Sequence, residues 1–163
     1  MLGFVELTLS KFDFDATLRE LSLTTLPTAA PDVVRPLSAL HRVVIRNDVA
    51  LCIMLLQNGA DVHRLDSRGK SVVDLAVEIG DTTLLKSMLE TGTAVNVMDS
   101  RGRTALFTAV ETANDDMAKL LLEHQVDVNR PDVSGEVALH LAVGMVSASM
   151  ALLLLQFGAD AST

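Results

Sequence analysis

The chain has 163 residues, of which 49% are hydrophobic and only 3% are aromatic, with no Trp or Tyr. This composition favours helices packed through aliphatic contacts over an aromatic-rich β-sandwich, and it is too apolar for a disordered chain. The 13 basic and 21 acidic residues give a net charge of −8, whereas a general nucleic-acid binder needs a basic excess. The single cysteine, Cys52, excludes an internal disulfide framework and indicates a reducing intracellular compartment, cytoplasmic or nuclear.

The first 36 residues are predicted to form an N-terminal arm and cap. Residues 1–6 lack a basic region, and nearby charges interrupt any apolar run, so we expect no secretory signal. Residues 5–10 alternate as in a strand or extended arm. Residues 16–26 resemble half of a degenerate copy of the unit that follows, and we expect them to cover its open N-terminal face. A flexible tail is the alternative.

From residue 37 onward the sequence repeats every 33 residues in four copies, at about 37–65, 66–98, 99–131 and 132–163. Three markers hold this period. The first is a tetrapeptide: Ser-Ala-Leu-His at 38–41, Ser-Val-Val-Asp at 71–74, Thr-Ala-Leu-Phe at 104–107 and Val-Ala-Leu-His at 137–140. The second consists of Gly59, Gly92, Gln125 and Gly158. The third is Asp-x-x-Gly at 66–69, 99–102 and 132–135.

Each copy predicts a turn followed by two helices. Asp-x-x-Gly forms a tight turn because glycine accepts positive φ and the aspartate bonds the backbone that follows it. In the third copy, Thr104 is the expected N-cap of a helix over residues 105–111, and Asn114 precedes a second helix over residues 116–124. Because one helix pair cannot cover its own apolar face, the copies are expected to stack into a continuous core.

These motifs resemble the ankyrin repeat, a 33-residue unit made of a β-turn and two antiparallel helices. The first marker stands where that family has Thr-Pro-Leu-His, although proline is absent there in all four copies. Gln125 also replaces the terminating glycine, and such departures indicate diverged repeats of modest individual stability. Over residues 37–163 the resemblance implies an all-α solenoid of stacked helix-turn-helix units joined by β-turn fingers.

The last copy is unusually apolar. Residues 137–159 form a stretch of 23 residues without Asp, Glu, Lys or Arg, long enough to span a bilayer. This stretch contains a turn in its middle and fits the repeat throughout, so we expect no membrane insertion. Solenoid ends normally carry a polar capping repeat. Either further repeats follow in a longer protein, or self-association or a partner buries this end.

The sequence contains no constellation of residues that indicates catalysis, a metal or a cofactor. His41 and His140 occupy the histidine position of the family tetrapeptide, where the resemblance implies that the ring satisfies backbone groups near the turn. Cys52 is expected on the buried face of a second helix. For Asn96 and Asn129, a bond across the finger turn is favoured over the hydroxylation known in the family. No phosphate-binding loop or nucleophile elbow is present, so we predict a non-enzyme.

The resemblance implies a protein-binding module that uses its finger tips and the concave side of its first helices. Carried over position by position, the partner-binding residues are Ile45, Arg46, Ser67, Arg68, Lys70, Glu78, Ile79, Ser100, Arg101, Arg103, Glu111, Thr112, His124, Met145 and Phe157. Six basic residues lie on or beside the fingers and suggest a partner with an acidic segment; they are Arg64, Arg68, Lys70, Arg101, Arg103 and Arg130. The alternative is that they are ordinary solvated turn residues.

Three classes of function are therefore considered. The leading hypothesis is a non-catalytic module that acts as an adaptor, an inhibitor or a targeting domain. The second is an enzyme or small-molecule binder with a pocket between the N-terminal arm and the groove. The third is a structural protein that forms a homo-oligomer through the uncapped C-terminal repeat.

Overall fold

The computed structural model describes residues 37–162, in which eight helices form four consecutive pairs. The pairs are α1 (Ala39–Ile45) with α2 (Val49–Gln57), α3 (Val72–Ile79) with α4 (Thr82–Glu90), α5 (Ala105–Glu111) with α6 (Asp115–Glu123), and α7 (Ala138–Gly144) with α8 (Ala148–Gln156). In this part of the chain, extended pairing is limited to one isolated bridge between Met98 and Thr104. The predicted all-α class is confirmed. The predicted N-terminal arm and cap lie outside the described residues.

The helices stack in two layers. The first helix of each pair contacts the first helix of the next pair, and the second helices contact one another in the same way. We call α1, α3, α5 and α7 the inner helices, and α2, α4, α6 and α8 the outer helices. One core runs between the layers, with Leu40, Val73 and Leu106 of the first marker all buried in it. Each pair is therefore stabilised mainly by its immediate neighbours.

The fingers between the pairs are closed by the aspartates that the sequence predicts. The Asp66 N–H donates to the carbonyl oxygen of Lys70 at 2.9 Å, and Asp66 Oδ1 accepts from the N–H groups of Arg68 and Lys70, both at 2.8 Å. Gly69 has a φ of 77°, and a Cβ on it would collide with the Ser100 side chain of the next finger. The glycine is thus required both by its own conformation and by the approach of its neighbour.

Helix boundaries agree closely with the sequence expectations. The helix predicted over residues 105–111 has those bounds, whereas the one predicted over 116–124 begins and ends one residue earlier. Thr104 occupies the N-cap position of α5, but its hydroxyl makes no capping hydrogen bond. Asn114 does cap α6, accepting from the Met117 N–H at 3.1 Å. At the position of the terminating glycine, Gln125 keeps the left-handed conformation with a φ of 64°.

The apolar stretch at residues 137–159 is divided between two short helices. A turn at residues 145–147 separates α7 from α8. Within the described range, no helix is both long enough and apolar enough to cross a membrane.

The residues predicted to have structural roles are buried or hydrogen-bonded, but not always to the expected partner. His41 Nδ1 lies 2.6 Å from the hydroxyl of Ser38, a side chain, and the asparagines bond to the following copy and not across their own turn. Cys52 is fully buried in α2, and burial raises the pKa of its thiol to about 11. The His140 ring accepts a hydrogen bond from the Val137 N–H at 3.4 Å. The two asparagines bond to the following copy: Asn96 Oδ1 accepts from the Asp127 N–H at 2.8 Å, and Asn129 Nδ2 donates to the carbonyl oxygen of Gly158 at 3.0 Å.

Candidate functional site

Basic finger residues and acidic inner-helix residues meet within the same copy. In the second copy, Arg68 Nη2 lies 3.2 Å and Lys70 Nζ 3.6 Å from the carboxylate of Glu78 on α3. In the third copy, Arg103 Nη1 lies 2.8 Å from Glu111 Oε1 on α5. These pairs tie the fingers to the inner helices, and they neutralise part of the basic charge that the sequence places on the finger tips.

Arg103 also ties the third finger to the fourth. Its Nε lies 2.8 Å from Asp132 Oδ2 and its Nη2 lies 3.7 Å from Glu136 Oε2, while the guanidinium sits 5.2 Å from the centroid of the Phe107 ring. Only 16% of the Arg103 side chain is exposed. Its guanidinium therefore stabilises the solenoid and is poorly available to a partner.

A buried chain of polar groups joins the second and third copies. Lys70 Nζ donates to Thr108 Oγ1 at 3.1 Å, and that hydroxyl donates to Asp74 Oδ1 at 3.1 Å. Asp74 Oδ2 also accepts from the backbone N–H and the hydroxyl of Ser71 at 2.9 and 2.6 Å. Burial raises the pKa of Asp74. The sequence did not predict this hydrogen-bonded network of Lys70, Thr108, Asp74 and Ser71. The only sign of it in the sequence was an aspartate at the histidine position of the first marker.

Of the six basic finger residues, the two that are exposed are Arg68 and Arg101, at the tips of the second and third fingers. Arg68 keeps 59% of its side chain exposed despite its ion pairs. Arg101 is exposed and makes no side-chain ion pair among residues 37–162. The neighbouring tip residues Ser67 and Ser100 are exposed as well, although the Ser100 N–H donates to the carbonyl oxygen of Gly69.

Exposed aliphatic side chains lie where the inner helices end. Ile45 is the last residue of α1, Ile79 is the last of α3, and Met145 follows α7, with exposed fractions of 53%, 40% and 44%. Arg46 and Thr112 occupy the equivalent C-cap positions of α1 and α5. The structure thus brings five of the predicted partner-binding residues to the same end of the inner layer.

Two predicted residues lie elsewhere. His124 and Phe157 are the C-cap residues of the outer helices α6 and α8, not residues of the inner layer. Phe157 is 38% exposed. The structure therefore places these two in a different layer from the other predicted groove residues.

Two grooves in the described structure lie away from most of the predicted binding residues. One, of about 630 Å³, lies between the outer helices α4 and α6 and is lined by polar residues that include Lys86 and Glu123. Another, of about 390 Å³, lies on the last copy and is lined mainly by apolar residues. Among residues 37–162 no cluster of His, Cys, Asp and Glu side chains is arranged to hold a metal ion.

Comparison with known families agrees with the repeat seen in the structure. A family model for ankyrin repeats, comprising three copies, matches residues 73–163, which is more than half of the chain. The chain belongs to the ankyrin-repeat family. No curated protein matches the sequence.

The first copy lies ahead of the matched residues, yet α1 and α2 stack on the next pair as the other copies do. Ankyrin repeats are generally protein–protein interaction modules and are typically non-catalytic.

Proposed function

We propose that this ankyrin-repeat protein is a non-catalytic adaptor, inhibitor or targeting domain that binds a protein through its finger tips and its inner-helix groove. The observation that carries the proposal is the exposure of Ile45, Ile79 and Met145 at the C-terminal ends of three of the four inner helices, α1, α3 and α7. Aliphatic side chains held out on rigid helices are suitable anchors for a partner because they lose little entropy on binding. In this arrangement residues 1–36 form an arm and cap, and residues 37–163 form the binding domain.

The charge of the fingers supports a partner with an acidic segment. Arg68 and Arg101 are the exposed guanidiniums at the tips, and arginine binds carboxylates in a bidentate manner. Lys70 and Arg103 contribute mainly by holding the fingers against the inner helices through Glu78 and Glu111. Arg68 is paired with Asp66 and Glu78 but keeps most of its side chain exposed. An acidic segment would therefore approach the tips without breaking the pairs of Lys70 and Arg103.

The test is a charge reversal at the tips that leaves the internal ion pair of Arg103 intact. A partner is first captured from native lysate and identified, and its dissociation constant for the wild type and for an Arg68→Glu, Arg101→Glu variant is then measured. We expect the variant to bind at least about tenfold more weakly, since each rim charge contributes modestly and both change sign. The variant must match the wild type in helicity and melting temperature.

A matched control places the same charge change on the outer layer. Lys86 lies on α4, where 61% of its side chain is exposed and its Nζ is 3.9 Å from Glu90. A Lys86→Glu, Lys119→Glu variant should bind the partner as tightly as the wild type. Equal binding by the tip variant would reject the basic tips as the recognition surface. Loss in both variants would show a general charge effect instead of a local site.

A further inference from the structure

One asparagine of this chain is followed directly by a glycine. The sequence has five asparagines, and only Asn58 has this neighbour, Gly59. The residues that follow the other four are Asp48, Val97, Asp115 and Arg130. A side chain on the following residue crowds the approach of its backbone nitrogen to the asparagine side chain, whereas glycine leaves that approach open. Asn58 is therefore the asparagine whose side-chain carbon the next backbone nitrogen reaches most easily.

The structure places this pair in an exposed turn at the end of an outer helix. Asn58 is the C-cap of α2, and Gly59 follows it with a left-handed φ of 80°. Both residues are exposed. A Cβ on Gly59 would meet no atom within 4 Å among the described residues beyond its chain neighbours. Packing therefore does little to hold the backbone of Gly59 in place, and hydrogen bonds must do so instead.

Two hydrogen bonds hold the pair in its folded arrangement. Asn58 Nδ2 donates to the carbonyl oxygen of Met54 at 2.7 Å, and the Gly59 N–H donates to that of Leu56 at 3.0 Å. The nitrogen of Gly59 is thus engaged as long as α2 keeps its last turn. Helix ends open locally at a much lower free energy than the whole domain unfolds. Opening of this one turn is therefore enough to free both groups.

We propose that Asn58 is a site of spontaneous covalent modification, in which its side-chain amide is lost through a cyclic imide formed with Gly59. The Gly59 nitrogen gives up its proton and bonds to Cγ of Asn58. The bond from Cγ to Nδ2 breaks, and the amide group takes up a proton and leaves as ammonia. Water then adds to one of the two imide carbonyl carbons, and the ring opens to aspartate or to isoaspartate. The reaction consumes one water, releases one ammonia and needs neither an oxidant nor an enzyme.

Either product changes the C-terminal end of α2. A carboxylate replaces the amide that donates to Met54, and its negative charge lies beside the carbonyl end of the helix, where the helix dipole disfavours it. Isoaspartate also lengthens the backbone of the turn by one methylene group. The modification therefore weakens the end of α2, the outer helix through which the first copy contacts α4.

The experiment incubates the full 163-residue chain at neutral pH in water enriched in oxygen-18, followed by digestion in ordinary water and peptide mass spectrometry. We expect the peptide that contains Asn58 to gain one oxygen-18 atom and to yield both aspartate and isoaspartate, distinguished by electron-transfer fragmentation. Asn96 and Asn129 are also exposed and serve as controls within the same sample. Asn58 should convert at least about tenfold faster than either, because only its neighbour lacks a side chain.

The matched variant is Gly59→Gln, because the third copy has Gln125 at the equivalent position with the same left-handed backbone. This variant should fold as the wild type does and should convert Asn58 at least about tenfold more slowly, since the new Cβ hinders the attack. If it does not fold, the comparison among the asparagines of the wild type still decides. Conversion of Asn58 no faster than that of Asn96 and Asn129, or conversion to aspartate without isoaspartate, overturns the proposal. An undiminished rate in a folded Gly59→Gln variant does so as well.

Discussion

At the scale of single residues, the turn within each helix pair requires a left-handed backbone. Its central position is Asn47, Gly80, Ala113 and Val146 in the four copies, with φ values of 55°, 79°, 50° and 57°. Glycine and asparagine tolerate this conformation, whereas a β-branched side chain crowds its own backbone. Val146 is also 88% exposed, so it gains little burial to offset the strain. The last copy is therefore locally strained at this residue.

Replacing Val146 with glycine should relieve that strain. We expect Val146→Gly to raise the free energy of unfolding by about 1 kcal/mol, as measured by urea denaturation. The control is Val133→Gly: Val133 is 79% exposed but is not among the residues with positive φ. Glycine there should bring no gain, because it only adds freedom to the unfolded chain. A similar change in stability for both variants would contradict the strain argument.

At the scale of structural elements, neighbouring fingers are tied together by backbone and side-chain bonds. The Val133 N–H donates to the carbonyl oxygen of Arg101 at 3.0 Å, and Arg103 pairs with Asp132. Asp132 also accepts from the hydroxyl and the N–H of Ser134, and these bonds together with the Arg103 guanidinium hold its pKa well below the usual range. A single carboxylate thus closes one finger and anchors the finger before it.

The link through Asp132 should make stability sensitive to acid. Because its pKa is lower in the folded than in the unfolded chain, its contribution is complete above the unfolded pKa of about 4 and is lost as the pH falls below that value. We expect Asp132→Asn to lower the free energy of unfolding at pH 7 by about 1–2 kcal/mol. The difference from the wild type should shrink at pH 2–3, as followed by urea denaturation at each pH.

Asp99 provides the comparison for this prediction. It accepts the corresponding backbone bonds from the N–H groups of Arg101 and Arg103, at 2.7 and 2.9 Å, but has no ion pair within 4.0 Å among the described residues. Asp99→Asn should therefore cost less at pH 7 than Asp132→Asn. If Asp132→Asn loses stability by the same amount at pH 7 and pH 2–3, the acid dependence arises elsewhere.

At the scale of the whole molecule, stability depends on the number of neighbours that each helix pair has. The second and third pairs contact a pair on either side, whereas within the described residues the fourth contacts only the third. The fourth also contains the strained Val146 and the exposed Val143. In a linear stack, a terminal unit with fewer contacts opens at a lower free energy than the interior.

Hydrogen exchange should show directly that the fourth helix pair opens at a lower free energy than the interior pairs. The amides of α7 and α8 should exchange at least about tenfold faster than those of α5 and α6. Uniform protection across the four pairs would show instead that the solenoid opens only as one cooperative unit.

Local sequence signals predicted the helices well because their causes are local. The Asp-x-x-Gly turns, the capping positions and the helix over residues 105–111 depend on interactions within a few residues, and the 33-residue period implies stacking because one pair cannot bury its own apolar face. The binding surface was less predictable. From its sequence position, Arg103 was expected among the basic residues at the finger tips that bind a partner. Its guanidinium instead contacts Asp132, which lies 29 residues further along the chain. The link between Asp74 and Thr108 was missed for the same reason.

The sequence by itself thus determined the repeat, the two-layer stack, the acidic overall charge and the apolar last copy. Only the tertiary structure decided which finger charges are exposed and which are held in ion pairs, and which aliphatic side chains are exposed at the ends of the inner helices. Composition is a property of the chain, whereas exposure and ion pairing depend on which side chains of different copies come within a few ångströms of one another. Val143 illustrates the difference: its sequence position matches that of buried Val110, yet it is exposed because no helix pair among the described residues packs beyond it.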